Sequence, residues 1–371
     1  MTTELKSDKK PHILIAPLDW GLGHATRCIP LIRALREKGM KVTVAAEGPI
    51  AQLIKDNFPE VPIVSLRGYR IRYSKRRWFF TLRIVIQIPK ILLAIYREKR
   101  WLDRQVEKGT YDFIISDNRY GLYSTKIPSV ILTHQLEVIT GMGKLMDRWL
   151  RNIHYRFIGQ FAACWIVDEE GENNLGGKLS HPDVLPSHSD YIGWLSQFGF
   201  QPGRVVPNLI LILLSGPEPL RTLLEEKLLR QAVLLTDFRF VVVGGKVGGS
   251  IPQGLPDHIT YHSYLAGAAL APTLREAELV ICRSGYSTLM DLTVLEKNAL
   301  LIPTPGQSEQ EYLGKRLSEK GICLTRKQEE IDLLKDIPLA LTFSGFKSIS
   351  LQKRPLQESK IIKTLKYYID N

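Results

Sequence analysis

Three short stretches place ionisable side chains beside turn-forming residues in a way that suits proton transfer. His24 closes the run Gly21-Leu22-Gly23-His24, between an apolar segment and a helical one. Glycines at such a turn let the backbone approach an anion at a helix N-terminus, and Gly21 and Gly23 stand on the acceptor side of the expected site. An imidazole there titrates near neutrality and can take a proton from a hydroxyl. The alternative for His24 is a capping or core histidine. Asp117 and Asn118 follow the apolar run ending at Ser116, and His134 and Gln135 follow the one ending at Thr133. If these runs lie in one parallel sheet, all three clusters meet at its carboxyl rim. His24 is then the expected base, with Asp117 and His134 as competitors. Asp117 would orient or assist it, and His134 with Gln135 would bind acceptor hydroxyls or pyrophosphate.

The second half repeats the pattern with smaller residues. Ser215-Gly216 follows the run Asn208–Leu214, and its N–H groups suit a diphosphate. Arg283-Ser284-Gly285 follows Leu279–Cys282 and leads into a helix carrying Asp291. Pro303-Thr304-Pro305-Gly306 follows Ala299–Ile302 and precedes Gln310 and Glu311.

The elements that must hold these residues alternate apolar runs with helical patterns. In the first half the runs are 12–17, 41–46, 61–66, 111–116, 129–133 and 163–167. Further runs at 208–214, 238–243, 259–262, 279–282 and 299–302 follow in the second. Alternation of this kind predicts parallel sheets covered on both faces, here two doubly wound α/β domains facing across a cleft. A length of 371 residues with 44% apolar composition supports two cores. Trp194–Pro207, with two glycines and a proline before Val205, reads as the linker, so the domains are 1–198 and 199–349. A helix at 350–371 ends the chain, either as a simple C-terminal helix or crossing back onto the first domain.

The stretch Val280–Gly321, in order and spacing, resembles the nucleotide-sugar half of GT-B glycosyltransferases, and is most similar to glycosyltransferase family 28. The resemblance is closest over 258–325. It implies that 1–198 binds the acceptor and 199–349 the nucleotide-sugar, most simply a UDP-sugar. It also implies that Ser215 and Gly216 form the phosphate turn, that His262 to Leu265 edge the base, and that Arg283, Ser284 and Gly285 precede the nucleotide helix. Asp291 falls where the family holds ribose hydroxyls, often with glutamate. Gln310 matches a glutamine that contacts the donor sugar, and Glu311 stands where a second glutamine is common. The implied reaction moves a hexose or N-acetylhexosamine to an unidentified acceptor, with no metal and no cofactor, the nucleotide-sugar being a substrate. The backbone N–H groups of both turns and Arg283 would stabilise the leaving diphosphate. The segments APLDWGLGHATR, SDNRYG and THQL look like a bacterial branch of family-28-like proteins.

Charge adds a partner class. Twelve basic residues against two acidic ones between Arg67 and Arg104 supply ten of the twelve excess positive charges. Arg76, Arg77, Trp78, Phe79 and Phe80 open a segment where apolar residues alternate with cations, which suits an anionic membrane surface. Pro89 is expected to kink it. The same segment also fits an ordinary helical layer with one charged face. No apolar run reaches membrane-span length, residues 1–10 do not read as a signal peptide, and four scattered cysteines fit reduced thiols without zinc. The expectation is a cytoplasmic protein, peripheral on the inner face of the membrane if the patch binds there. Two rivals are a UDP-N-acetylglucosamine epimerase on the same scaffold and a nucleic-acid binder using the patch. The second leaves the donor-like stretch unexplained, so no nucleic acid is expected.

Overall fold

The computed structural model describes residues 10–70, 86–138, 143–199, 203–246, 248–350 and 358–370. Each half forms a parallel sheet of its own. The first joins β1 (His12–Ala16), β2 (Lys41–Ala45), β3 (Ile63–Val64), β4 (Phe113–Asp117), β5 (Ser129–Thr133), β6 (Ala163–Ile166) and β7 (Ser189–Tyr191) in the order β3-β2-β1-β4-β5-β6-β7. The second joins β8 (Leu209–Leu213), β9 (Arg239–Val243), β10 (Ile259–His262), β11 (Leu279–Cys282), β12 (Asn298–Leu301) and β13 (Leu324–Thr325) in the order β10-β9-β8-β11-β12-β13. The two doubly wound sheets are those expected from the alternation. The short edge strands β7 and β13, with three and two residues, are too brief to register as apolar runs.

Register explains why the central strands read as continuous apolar runs. Leu14 pairs with Ile114, and Ser116 with Ile131, so these residues share one face. That face carries α3 (Ile88–Glu107) through Leu102 and Val106, and α4 (Lys144–Ile158) through Ile158. Ile13, Ile15, Phe113 and Ile115 point the other way, onto α1 (Leu22–Glu37) and α2 (Gly48–Asn57). A strand buried on both faces has no polar alternation to show. Gly39, at φ +77, lets the chain leave α1 toward β2.

In the second half, α5 (Leu220–Ala232) and α9 (Leu333–Leu341) cover one face of the sheet. The other face carries α6 (Gly267–Glu276), α7 (Tyr286–Val294) and α8 (Ser308–Glu319), whose core is continuous with that of the first sheet. The chain then passes through α10 (Lys347–Ser350) to α11 (Glu358–Asp370). Ile361 and Leu365 of α11 are buried in the first domain's core, and Tyr368 Oη donates to the Ala162 carbonyl (2.8 Å).

One local expectation fails. Pro89 does not kink a helix but lies in the first turn of α3, where its missing N–H has no intrahelical acceptor to lose. Between the halves, Leu195 and Phe198 are buried, so the stretch read as a linker contributes to the shared core. The carboxyl ends of β1 and β4, and of β8 and β11, lie where strand order reverses in each sheet, the place where open α/β sheets form a crevice.

Candidate active site

Asp117 ends β4 fully buried and accepts from three directions. Arg27 Nε donates to its Oδ2 (2.9 Å), and a terminal nitrogen of the same guanidinium donates to Oδ1. His24 Nδ1 lies 3.0 Å from Oδ2. His24 and Arg27 are three residues apart on α1, hence on one helix face. A carboxylate accepts only, so Nδ1 of His24 carries the proton and Nε2 holds the lone pair. The Arg27 terminal nitrogen also lies 2.9 Å from that Nδ1, but it has the charged Asp117 Oδ1 as its acceptor, whereas Oδ2 can take only a donor, so the carboxylate decides the tautomer. The His24 side chain keeps 17% exposure, which leaves Nε2 at the cleft.

A second histidine is held differently. Arg27 donates to His134 Nδ1 (2.8 Å), and a guanidinium can only donate. The His134 proton is therefore on Nε2, which donates to Glu309 Oε1 (3.1 Å) in the first turn of α8. The imidazole also stacks on Tyr286 of α7 with ring centres 4.1 Å apart. His134 is thus a first-domain residue seated against two helices of the second, with both nitrogens engaged. Asn118, at φ +53, turns the chain off β4, and its amide reaches Thr133 Oγ1 (2.9 Å) and Arg27 (3.2 Å).

Electrostatics separate the three expected candidates. Burial would raise the Asp117 carboxyl, but Arg27 and then His24 outweigh it and bring it down to about 2. It stays ionised and makes a poor base. Burial lowers His24, with Asp117 opposing, so the neutral imidazole dominates at neutral pH. Glu309, although burial would raise it, is lowered by His134 and the neighbouring His24 and Arg27.

The opposite wall gathers around the Ser215-Gly216 turn. Gly216 takes φ +105, and a Cβ there would lie 3.4 Å from Thr304 Oγ1 and 3.9 Å from Arg283 Nε. Both of these buried polar atoms lack a hydrogen-bond partner among the described residues. The other nitrogens of Arg283 bind the carbonyls of Ile302, Pro303 and Leu220 and the Gln328 side chain. Arg283 therefore fixes three loops and offers only Nε. Ser284 Oγ donates to the Gln310 carbonyl (2.7 Å), and Gln310 Oε1 accepts from Thr304 N–H (2.8 Å). Glu311 accepts from Gly306 N–H (3.1 Å), and Gly285 caps α7. The half-buried Asp291 accepts from Ser196 Oγ (2.7 Å) and Gln197 Nε2 (3.1 Å), and burial raises it to about 6.

The walls touch where Ser287 Oγ donates to the Gly23 carbonyl (2.9 Å). His262 ends the edge strand β10 and is partly buried, as is Leu265 beyond it, both away from the His24 cluster. Gly21 precedes α1, and Gln135 follows His134 with its N–H on Thr133 Oγ1. Arg76, Arg77, Trp78, Phe79 and Phe80 lie outside the described residues. Among the described residues, no group of three or more His, Cys, Asp or Glu could hold a metal ion. Sequence reasoning overlooked Arg27, Thr304, Tyr286 and Glu309. Arg27 had a usable signal, its spacing from His24.

Two helices leave apolar side chains at the surface. Ile88, Leu92 and Tyr96 form a stripe on α3 beside Leu93, and Leu145, Met146 and Trp149 do the same on α4. Both helices flank the 119–124 loop, Lys99 over Tyr123 from one side and His154 and Phe157 against Tyr120 from the other. Exposed Lys90, Arg97, Arg100 and Arg148 lie among them. Among the described residues no helix is long and apolar enough to cross a membrane.

Known proteins match this arrangement. Residues 252–358 match the glycosyltransferase family 28 C-terminal domain. A UDP-N-acetylglucosamine–N-acetylmuramyl-(pentapeptide) pyrophosphoryl-undecaprenol N-acetylglucosamine transferase from Halalkalibacterium halodurans is 22% identical over 337 residues, 85% of this chain and 86% of that one. Among solved structures, the kitacinnamycin glycotransferase superposes with a TM-score of 0.70 at 15% identity, over 97% of this chain and all of that one. MurG of Acinetobacter baumannii superposes with a TM-score of 0.60 at 15% identity, again over 97% and 100%.

Proposed function

The chain is a GT-B glycosyltransferase of the family-28 type, and we propose that it moves a hexose or N-acetylhexosamine from a UDP-sugar to a hydroxyl of a lipid-linked acceptor. One observation carries the chemistry: His24 has its Nδ1 proton committed to a buried carboxylate and its Nε2 lone pair at the cleft. The acceptor oxygen attacks the anomeric carbon and forms the new C–O bond. The bond from that carbon to the phosphate oxygen breaks, and its electron pair leaves with the nucleoside diphosphate. The acceptor proton goes to His24 Nε2, and Asp117 stabilises the imidazolium.

The departing diphosphate needs donors already in place. Arg283 Nε and Thr304 Oγ1 converge beside the open turn at Gly216, and both lack what a phosphate oxygen supplies. The lipid-linked acceptor is supported by the relatives' printed activity and by the apolar, cation-edged faces of α3 and α4. Such faces suit the interfacial plane of an anionic membrane without spanning it, which supports a peripheral position on the inner face of the cytoplasmic membrane.

The test is a thermal-shift series with UDP, GDP and ADP, followed by turnover of UDP-sugars. UDP should raise the melting temperature by a few degrees, because a ligand at about 100 times its Kd adds ~2.7 kcal/mol to the folded state. GDP and ADP should do less, and the wild-type protein should release UDP from a UDP-sugar. No response to any nucleotide would defeat the proposal.

A further inference from the structure

Glu309 belongs to neither set of residues used so far. It sits in the first turn of α8, on the donor side, yet its carboxylate accepts from His134 of the acceptor-side sheet. His134 in turn accepts from Arg27, which binds Asp117, which binds His24. The path from Glu309 to the base is thus continuous and crosses the cleft.

Counting charge along it shows what Glu309 contributes. Arg27 is positive, Asp117 and Glu309 are negative, and both histidines are neutral at rest, so the cluster carries −1. When His24 takes a proton the sum becomes zero. Without the Glu309 charge, the same step would run from zero to +1 in a buried site, where an uncompensated charge is costly. Asp168, which also faces Tyr286, spends its oxygens on Ser180, Trp194 and backbone N–H groups and not on this path, and the other titratable groups here leave the sum unchanged. Cys28, with Sγ 3.9 Å from Asp117, is pushed well up by burial and stays a thiol. Tyr286, under the His134 ring, is also raised by burial and donates to the Val167 carbonyl.

We propose that Glu309 is a positioning residue for glycosyl transfer: it fixes His134 against Arg27 and supplies the second negative charge that lets His24 hold the acceptor proton. Because the donor helix carries this charge, the base is fully competent only when the two walls are together. The inference rests on the glycosyltransferase reading for its chemistry, but not for its main readout.

The test is 15N NMR of the histidine rings in the full chain across pH, for wild type, E309Q and E309D, with His24 assigned from its loss in H24Q. Glutamine keeps an acceptor for His134 and removes only the charge. The His24 midpoint should fall by about 0.5 or more in pH in E309Q and return toward wild type in E309D. With water as acceptor, UDP release from UDP-N-acetylglucosamine should drop ~10-fold in kcat in E309Q, with KM within about threefold. An unchanged His24 midpoint in E309Q overturns the proposal, as does a loss confined to KM, which would make Glu309 a donor ligand. Failure of the wild type to bind UDP would sink the glycosyltransferase reading and leave the NMR result to stand or fall alone.

Discussion

Two buried arginine–carboxylate pairs meet the first sheet at the end of β4, and they do different things. Arg27 with Asp117 lies on the cleft side. Arg119, two residues after Asp117, pairs with Glu98 of α3 on the other side (2.7 Å). The second pair is closed on itself. Arg119 also donates to the carbonyls of Pro17 and Arg67, and Glu98 accepts from Tyr69 Oη (2.9 Å) and Gly121 N–H. Burial raises Glu98, with Arg119 opposing, whereas Asp117 is brought down to about 2. The Asp117 pair ends instead on His24, whose Nε2 faces the cleft. Burying a charge pair therefore does not mark a site here; an unfinished valence at the end of the chain of bonds does.

The largest effect should come from breaking the two pairs in turn. Asp117→Asn removes the charge and one of the two acceptor oxygens that hold Arg27 and the His24 Nδ1 proton, so the tautomer is no longer fixed, and UDP release should fall ~10³–10⁴-fold. It also leaves Arg27 short of its counter-ion, at about 3–5 kcal/mol of stability. Glu98→Gln should cost a similar ~3 kcal/mol in urea unfolding, yet kcat of the folded fraction should stay within about twofold. Equal kinetic losses in both variants would erase the distinction.

A pH series sharpens it further. His24 and His154 both have folded values lowered by burial, His154 to about 4. The unfolded chain then binds protons more readily, so their contribution to stability is whole above pH ~6.5 and is lost as pH falls toward the folded value. For His154 alone the loss approaches about 3 kcal/mol by pH 4, from 2.5 pH steps at ~1.4 kcal/mol each. Asp117, depressed from the carboxylate range, adds its own loss only below about pH 4. Urea midpoints of His154→Leu should therefore fall less between pH 6.5 and 4 than those of wild type. The acid limb of turnover should survive that substitution and lie below pH ~6.5, where His24 titrates.

The smallest effect concerns the membrane. Leu92→Ser with Leu93→Ser should weaken sedimentation with anionic vesicles ~10-fold or more, since each leucine gains about 1.5–3 kcal/mol on full burial. UDP binding should be unchanged. Glu98→Gln, which loosens the anchor of α3, should weaken vesicle binding as well, while Asp117→Asn should not.

Much of this is legible in the sequence. Apolar runs located the long strands, and a glycine turn with a histidine at the end of β1 drew attention to His24. Two strand ends supplied Asp117 and His134. Partnership was not readable. An acidic residue in the first turn of a helix, such as Glu309, ordinarily answers the helix dipole, so nothing in its position points to a histidine 175 residues away. His134 looked like an acceptor ligand because strand-end histidines face clefts; the stacking on Tyr286 comes from the opposing domain. The apolar face of α4 was hidden because Leu145 and Trp149 have the spacing of a buried helix face, yet are 85% and 57% exposed.

The return of α11 to the first sheet bears on how the protein is made. Ile361 and Leu365 fill the face that Phe113 and Trp165 present, and Lys360 Nζ ties the helix to the Tyr191 carbonyl. During synthesis the first sheet leaves the ribosome complete in its strands, with α1 and α2 on that face, while the part at Phe113 and Trp165 waits for the thirteen residues of α11. A nascent chain, or one cut short before residue 358, carries an open apolar patch at the edge of its first domain. α11 closes that patch from the far end of the second domain's sequence.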